Sequence, residues 1–189
     1  MIPYSISGVN TPRIFIGNSS GSSWGSPITL PSDVLTAIGG SWSNYNPYIN
    51  DMDYDPISDS ILIATSYNGN EGLFAISRTG TLRWKTTNIW PSKSGTYRLG
   101  VEVPKTSAEC RIVVFRGDNG TGTDAGMARI NSNGGEIVTT DYSGTYDITR
   151  GYAACLVPPS GSVPNWRFFG GATGYGNAYY AYLNLPSSF

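Results

Sequence analysis

A chain of 189 residues fits one domain and is long enough to bury a real core. Only 13% of its residues are charged, and 12 basic against 13 acidic side chains leave a net charge of −1. No basic stripe is visible, so nucleic acid is not an expected partner, and no apolar run approaches the ~18 residues of a membrane-spanning helix, so no membrane insertion is expected.

Helical periodicity is nearly absent, and the pattern along the chain is all-β. The first unit predicts strands at 2–6, 13–17 and 26–30, then a less regular stretch in which Ser32 to Ile38 could form one helical turn before Gly39-Gly40 stops it. The second predicts strands at 49–54, 60–66, 73–77 and 81–87, punctuated by Asp55-Pro56, Asn68-Gly69-Asn70 and Arg78-Thr79-Gly80. The third predicts 97–103, 111–116, 127–131 and 136–140. The fourth fits three strands, at 152–157, 166–169 and 178–185.

Two anchors recur through these units. One is Ile14-Phe15-Ile16, Ile61-Leu62-Ile63, Ile112-Val113-Val114 and, more loosely, Arg167-Phe168-Phe169; the other begins at Gly25, Gly72, Gly126 and Ala178. The first shift is 47 residues and the later ones are 51 to 55. A period near 50 with about four short strands per unit marks propeller blades or a related β-array, whose units must pack on one another to bury their faces. The expected architecture is one domain over 1–189 with four propeller-like blades of short antiparallel strands (roughly 1–45, 46–95, 96–145 and 146–189), the last incomplete. The edge at 178–185 then needs covering, either by Ile2 to Ile6 or, as the favoured reading, by a strand from an assembly partner.

Around one turn, Leu73-Phe74-Ala75-Ile76-Ser77-Arg78-Thr79-Gly80-Thr81-Leu82-Arg83-Trp84 resembles the repeat of quinoprotein-like β-propellers. The resemblance rests on Ala75, Thr79, Gly80 and Trp84, with Ser77 where the family carries an acid. It implies that Trp84 docks between blades. The third unit keeps the spacing at Ala128 and at Gly134 or Gly135 but has Val138 in place of the Trp. No quinone cofactor is implied, since the acidic and metal ligands of such a site are not in the sequence.

No histidine is present, which removes Ser-His and Cys-His nucleophile pairs and most zinc sites. The remaining acidic candidates are Asp51, Asp53 and Asp55, which alternate along a strand, and Asp118 and Asp124 in the Gly-rich loop 117–124. Either group could hold calcium. The plainer alternatives are a strand end with an Asp-Pro corner, and a hairpin loop that needs no ligand. Trp24, Trp42, Tyr45, Tyr48, Tyr67, Trp90 and Tyr175 lie in or beside Gly/Ser/Pro turns and could serve packing, a protein interface or a glycan. Cys110 and Cys155 sit among apolar residues and read as buried free thiols.

The expected function is a non-enzymatic structural or binding component of a virus particle, a bacteriophage head or tail protein, with other virion proteins or copies of itself as partners. The alternatives are a small lectin for cell-surface glycan and a glycoside-acting enzyme that uses paired carboxylates. No Sec-type leader is visible at the N-terminus, so the expected location is the virion, or else the cytoplasm or the exterior by another route.

Overall fold

The computed structural model of the protein describes residues 2–6, 9–31, 48–67, 70–87, 89, 98–103, 112–117, 126–131, 133–134, 137–141, 151–157, 167–174 and 177–184; side chains are described within 13–31, 49–65, 71–87, 89, 99–103, 128–131 and 133–134. The described residues form fourteen β-strands and no helix. The turn expected at 32–38, and Cys110, lie outside them. Cys155 is on a strand, opposite Phe169, but its side chain lies outside the description.

The strands form four antiparallel meanders. Sheet 1 holds β1 (Ile2–Ile6), β2 (Val9–Phe15) and β3 (Ile28–Thr29). Sheet 2 holds β4 (Tyr48–Asp55), β5 (Ser60–Tyr67), β6 (Asn70–Ile76) and β7 (Leu82–Thr87), in that order. Sheet 3 holds β8 (Arg98–Glu102), β9 (Ile112–Gly117), β10 (Gly126–Ile130) and β11 (Ile137–Asp141). Sheet 4 holds β12 (Gly151–Val157), β13 (Arg167–Gly174) and β14 (Asn177–Asn184). Each expected strand is present, and the ends differ most where composition argues against a strand. β13 runs on through Gly170 and Gly171 because β12 and β14 pair with them on both sides, and a two-sided ladder outweighs weak β-propensity; its last residue, Gly174, pairs with β14 alone. β2 runs through Pro12, which falls in the interval where the β1–β2 register shifts and so has no registered partner there.

Sheet 2 lies between two cores. Side chains alternate across a strand, so a strand covered on both sides must be apolar throughout. Ile61, Ile63, Phe74 and Ile76 face sheet 1 and pack with Ile14, Ile28 and Leu30; Met52 and Leu82 flank them. Leu62, Ala64, Leu73 and Ala75 face the other way and pack with Leu99, Val101, Val103, Ala128 and Ile130 of sheet 3. This explains the unbroken run Ile61-Leu62-Ile63-Ala64, every member of which is buried. Each such large side chain contributes roughly 1.5–3 kcal/mol by leaving water. Beyond this pair of cores, β8 runs beside β4 and β5, and β12 runs beside β8 and β9.

The sheets stay separate: among the described residues no strand of one joins the ladder of another. Ile2–Ile6 pairs with Val9–Phe15, so it is an edge of sheet 1 and does not complete sheet 4. The outer edge of β14 carries no strand among the described residues.

The turns after β6 and β10 are the same object twice. Gly80 N–H donates to Ser77 O at 3.0 Å and Gly134 N–H to Asn131 O at 2.9 Å, and the two glycines have φ of +89° and +74°. Of the two candidates in the third unit, Gly134 is therefore the counterpart of Gly80. Each glycine is also the point where the preceding sheet touches its turn. A Cβ on Gly80 would lie 2.7 Å from Ile28 Cγ2, and one on Gly134 would lie 2.5 Å from Trp84 Cε3. Trp84 thus docks between sheets 2 and 3, with its edge in the shared core. The register corrects one part of the sequence alignment. Ile61 pairs with Ile76 and Ile112 with Ile130, which makes Arg129, not Ala128, the counterpart of Ala75. Ala128 points back into the core with sheet 2, where Phe74 points toward sheet 1.

Trp84 is partly buried, so Trp84→Ala should cost about 2–3 kcal/mol, below the ~3–5 of a fully buried large aromatic. Gly134→Ala should cost more in the wild-type background than in Trp84→Ala, where only the positive φ, about 1–2 kcal/mol, opposes it. A double-mutant cycle by denaturant unfolding measures the difference, and additive costs would show that ring and turn do not touch.

Candidate functional site

The acidic run on β4 meets backbone. A bulge between Ile49 and Asp51 leaves Asn50 as an extra residue, and bulges re-aim side chains, so Asn50 and Asp51 both reach toward β8. Leu99 N–H donates to Asn50 Oδ1 at 3.2 Å, Val101 N–H to Asp51 Oδ2 at 3.0 Å and Val103 N–H to Asp53 Oδ2 at 2.8 Å. The other oxygen of each carboxylate is also bound: Met52 N–H donates to Asp51 Oδ1 and Tyr54 N–H to Asp53 Oδ1, both at 2.8 Å. The two-residue step of the carboxylates matches the two-residue step of outward N–H groups on an antiparallel edge strand. β8 is such an edge, and the seam bonds the row of donors that its own sheet leaves over.

Asp55 takes no part in the seam. It is fully buried; its Oδ1 accepts from Ile57 N–H at 2.9 Å and its Oδ2 from Ser58 Oγ, which closes the Asp-Pro corner. The three acids therefore do not converge on one point, and among the described residues no three His, Cys, Asp or Glu side chains are grouped to hold a metal ion. Asp118 and Asp124 lie outside the described residues, as do Trp42, Tyr45, Trp90 and Tyr175. Tyr48 and Tyr67 are placed at one end of sheet 2, Tyr48 opposite Ser66 and Tyr67 opposite Asn70. Trp24 is the one sequence-chosen aromatic whose side chain is described, and it is half exposed.

One polar cluster has no sequence signal. The turns after β4 and β6 lie at the same end of sheet 2 and bring together Tyr54, Asp59 and Arg78. Arg78 Nε contacts Asp59 Oδ1 at 2.7 Å, Arg78 Nη2 donates to Tyr54 OH at 2.7 Å, and Tyr54 OH donates to Asp59 Oδ1 at 2.6 Å. The guanidinium also sits 5.2 Å from the Tyr54 ring centre. Asp59 holds a φ of +51°, which Asp tolerates better than most residues. The Tyr54 hydroxyl, and then Arg78, hold the Asp59 carboxyl below its ordinary value of 3.8. The cluster is exposed, so its electrostatic contribution to stability is small.

Burial pushes the Asp51 carboxyl above its ordinary value of 3.8; its bonds from Val101 and Met52 oppose this, and the charge of Asp53 adds to it. The linkage signs of the two acids are therefore opposite. What Asp51 adds to stability is fully present below pH 3.8 and falls as pH rises through its raised folded value. What Asp59 adds is present above pH 3.8 and falls as pH drops through its lowered folded value.

Urea unfolding across acidic pH should show this directly. Measured against Asp51→Ala, the wild-type advantage should shrink as pH rises; measured against Asp59→Ala, it should grow. Parallel pH profiles would contradict the assignment. Asp53→Ala leaves the Val103 and Tyr54 N–H groups unbonded and should cost about 1–3 kcal/mol. Because the seam oxygens already hold backbone donors, millimolar calcium or EDTA should leave the melting temperature unchanged; a rise with calcium would mean that an acidic site elsewhere in the chain binds it.

Comparison of the chain with protein-family models, with curated proteins and with solved structures finds no match in any of the three.

Proposed function

We propose that this chain is a non-enzymatic structural and binding component of a virus particle, a bacteriophage head or tail protein, whose four sheets act as blades of a propeller-like array completed by assembly. The observation that carries this reading is the open end of the series. β14 is eight residues long, Asn177 to Asn184, with no charge and no proline, and among the described residues its outer edge is unpaired. Edge strands are normally shortened, charged or covered, as β7 is by Arg83 and Lys85, both exposed. A long neutral edge suits pairing with a strand of a neighbouring subunit.

Two further observations support the reading. Among the described candidate acids, Asp51 and Asp53 are engaged along the seam, bonded at both oxygens to backbone donors, and Asp55 is engaged in a corner. The first strands β4 and β8 run side by side in the same direction, since Asp51 meets Val101 and Asp53 meets Val103, an offset of one repeat. That is how the inner strands of neighbouring blades are disposed in a propeller.

Sedimentation velocity and native mass spectrometry at micromolar concentration test the proposal. The wild type should form species at multiples of its 20.3 kDa mass, and Tyr180→Lys on β14 should shift it toward monomer. A wild type that remains a stable monomer up to tens of micromolar would end the assembly reading.

A further inference from the structure

Trp24 stands at the tip of the β2–β3 hairpin, in a loop whose backbone is tied into one shape. Gly17 and Trp24 form a bridge, Gly25 N–H donates to Ile16 O at 2.8 Å, Asn18 N–H to Ser23 O at 3.0 Å and Gly21 N–H to Asn18 O at 3.0 Å. The side chains add a second layer. Asn18 Nδ2 donates to Ser22 Oγ at 3.0 Å, Ser20 Oγ donates to Asn18 Oδ1 at 3.1 Å, and the Ser20 and Ser22 hydroxyls are 2.7 Å apart. The Trp24 ring is backed by Gly17, where any Cβ would come within 3.2 Å of Cε3 and Cζ3. Its side chain nevertheless remains 50% exposed.

The chemistry of this tip narrows its ligand. From Gly17 to Thr29 there is no charged residue, so nothing at the tip would attract a phosphate, a metal ion or a charged peptide. The exposed ring is bordered in sequence by Ser22, Ser23, Gly25 and Ser26, all exposed and uncharged. An exposed indole carried on an uncharged loop of hydroxyls and one amide matches a ligand with the same two characters: a ring with an apolar C–H face and neutral hydroxyls at its rim. The loop needs no reordering to present them, which lowers the entropic cost of binding. We infer that the Trp24 hairpin is a binding platform for a neutral saccharide, which stacks on the outer face of the indole and bonds to uncharged polar groups of the same loop. This inference is independent of the assembly reading, since a monomer would carry the same platform.

The test is an array of neutral hexose and N-acetylhexosamine oligosaccharides, probed with wild type, Trp24→Ala and Ile57→Ala; Ile57 is another exposed large apolar side chain, placed at the β4–β5 turn. Circular dichroism of each variant confirms the fold. The expected result is binding of at least one oligosaccharide class by wild type, weakened about tenfold or more in Trp24→Ala and by less than about twofold in Ile57→Ala. The inference is overturned if wild type binds none of the array, if Trp24→Ala binds as wild type does, or if both variants lose binding equally. Failure here with oligomers still present would remove the platform and leave the assembly reading untouched.

Discussion

An edge strand carries a row of backbone N–H groups pointing out of its sheet, and a fold that stacks sheets face to face must bond or wet every one of them. In this protein the row on β8 is bonded by side chains of the neighbouring sheet, with Asn50, Asp51 and Asp53 taking Leu99, Val101 and Val103 in turn. The rest of the second interface depends on that seam. It fixes the slide of sheet 3 against sheet 2 to within one residue, because a shift by one would bring in-plane carbonyls opposite the carboxylates. Only in this register do Leu99, Val101 and Val103 meet Leu62, Ala64 and Ala75 across the core. The apolar contacts supply most of the stabilisation and little of the register, since they are non-directional. The carboxylates supply the register. The raised pKa of Asp51 shows what this costs: burial of its charge outweighs the two N–H bonds that favour it.

The turn glycines do a similar job at the other side of each sheet. Where β6 passes into β7 and β10 into β11, the chain needs a left-handed residue and at the same place must admit a side chain from the sheet before. Glycine satisfies both demands at once. Ile28 fills the position over Gly80 and Trp84 the position over Gly134, so one geometry accepts side chains of different bulk. The repeat is therefore conserved in backbone shape more than in the residue that docks on it.

The strands were legible as short apolar or alternating runs between turn signals, and the run at Ile61 is apolar at every position because sheet 2 is covered on both faces. Trp84 was legible from its distance to a turn glycine. The role of the acids was not. Three alternating aspartates read the same in one dimension whether they face a cation or a row of N–H groups, and the deciding feature, the bulge at Asn50, has no local sequence mark. The counterpart of Ala75 was missed for a related reason. Side chains alternate with period two, so an alignment that is off by one residue selects the opposite face, and composition favoured Ala128 over Arg129. The Tyr54–Asp59–Arg78 cluster joins positions 5 and 24 residues from Tyr54, which only the shared end of two turns brings together.

The position of sheet 2 between two cores bears on how the chain is synthesised. A meander closes locally, so β4 to β7 can pair as soon as they leave the ribosome. One face of the resulting sheet is covered at once by Ile14, Ile28 and Leu30, which precede it in the chain. The opposite face, with Leu62, Leu73 and Ala75, has to wait for Val103 and then for Ala128 and Ile130. At about 5–20 residues per second, that interval is a few seconds during which a nascent chain displays an apolar β-surface to its surroundings. Polar groups at its rim, Asn50, Asp51 and Asp53 among them, can be solvated by water in that interval, until the N–H groups of β8 arrive and replace the water.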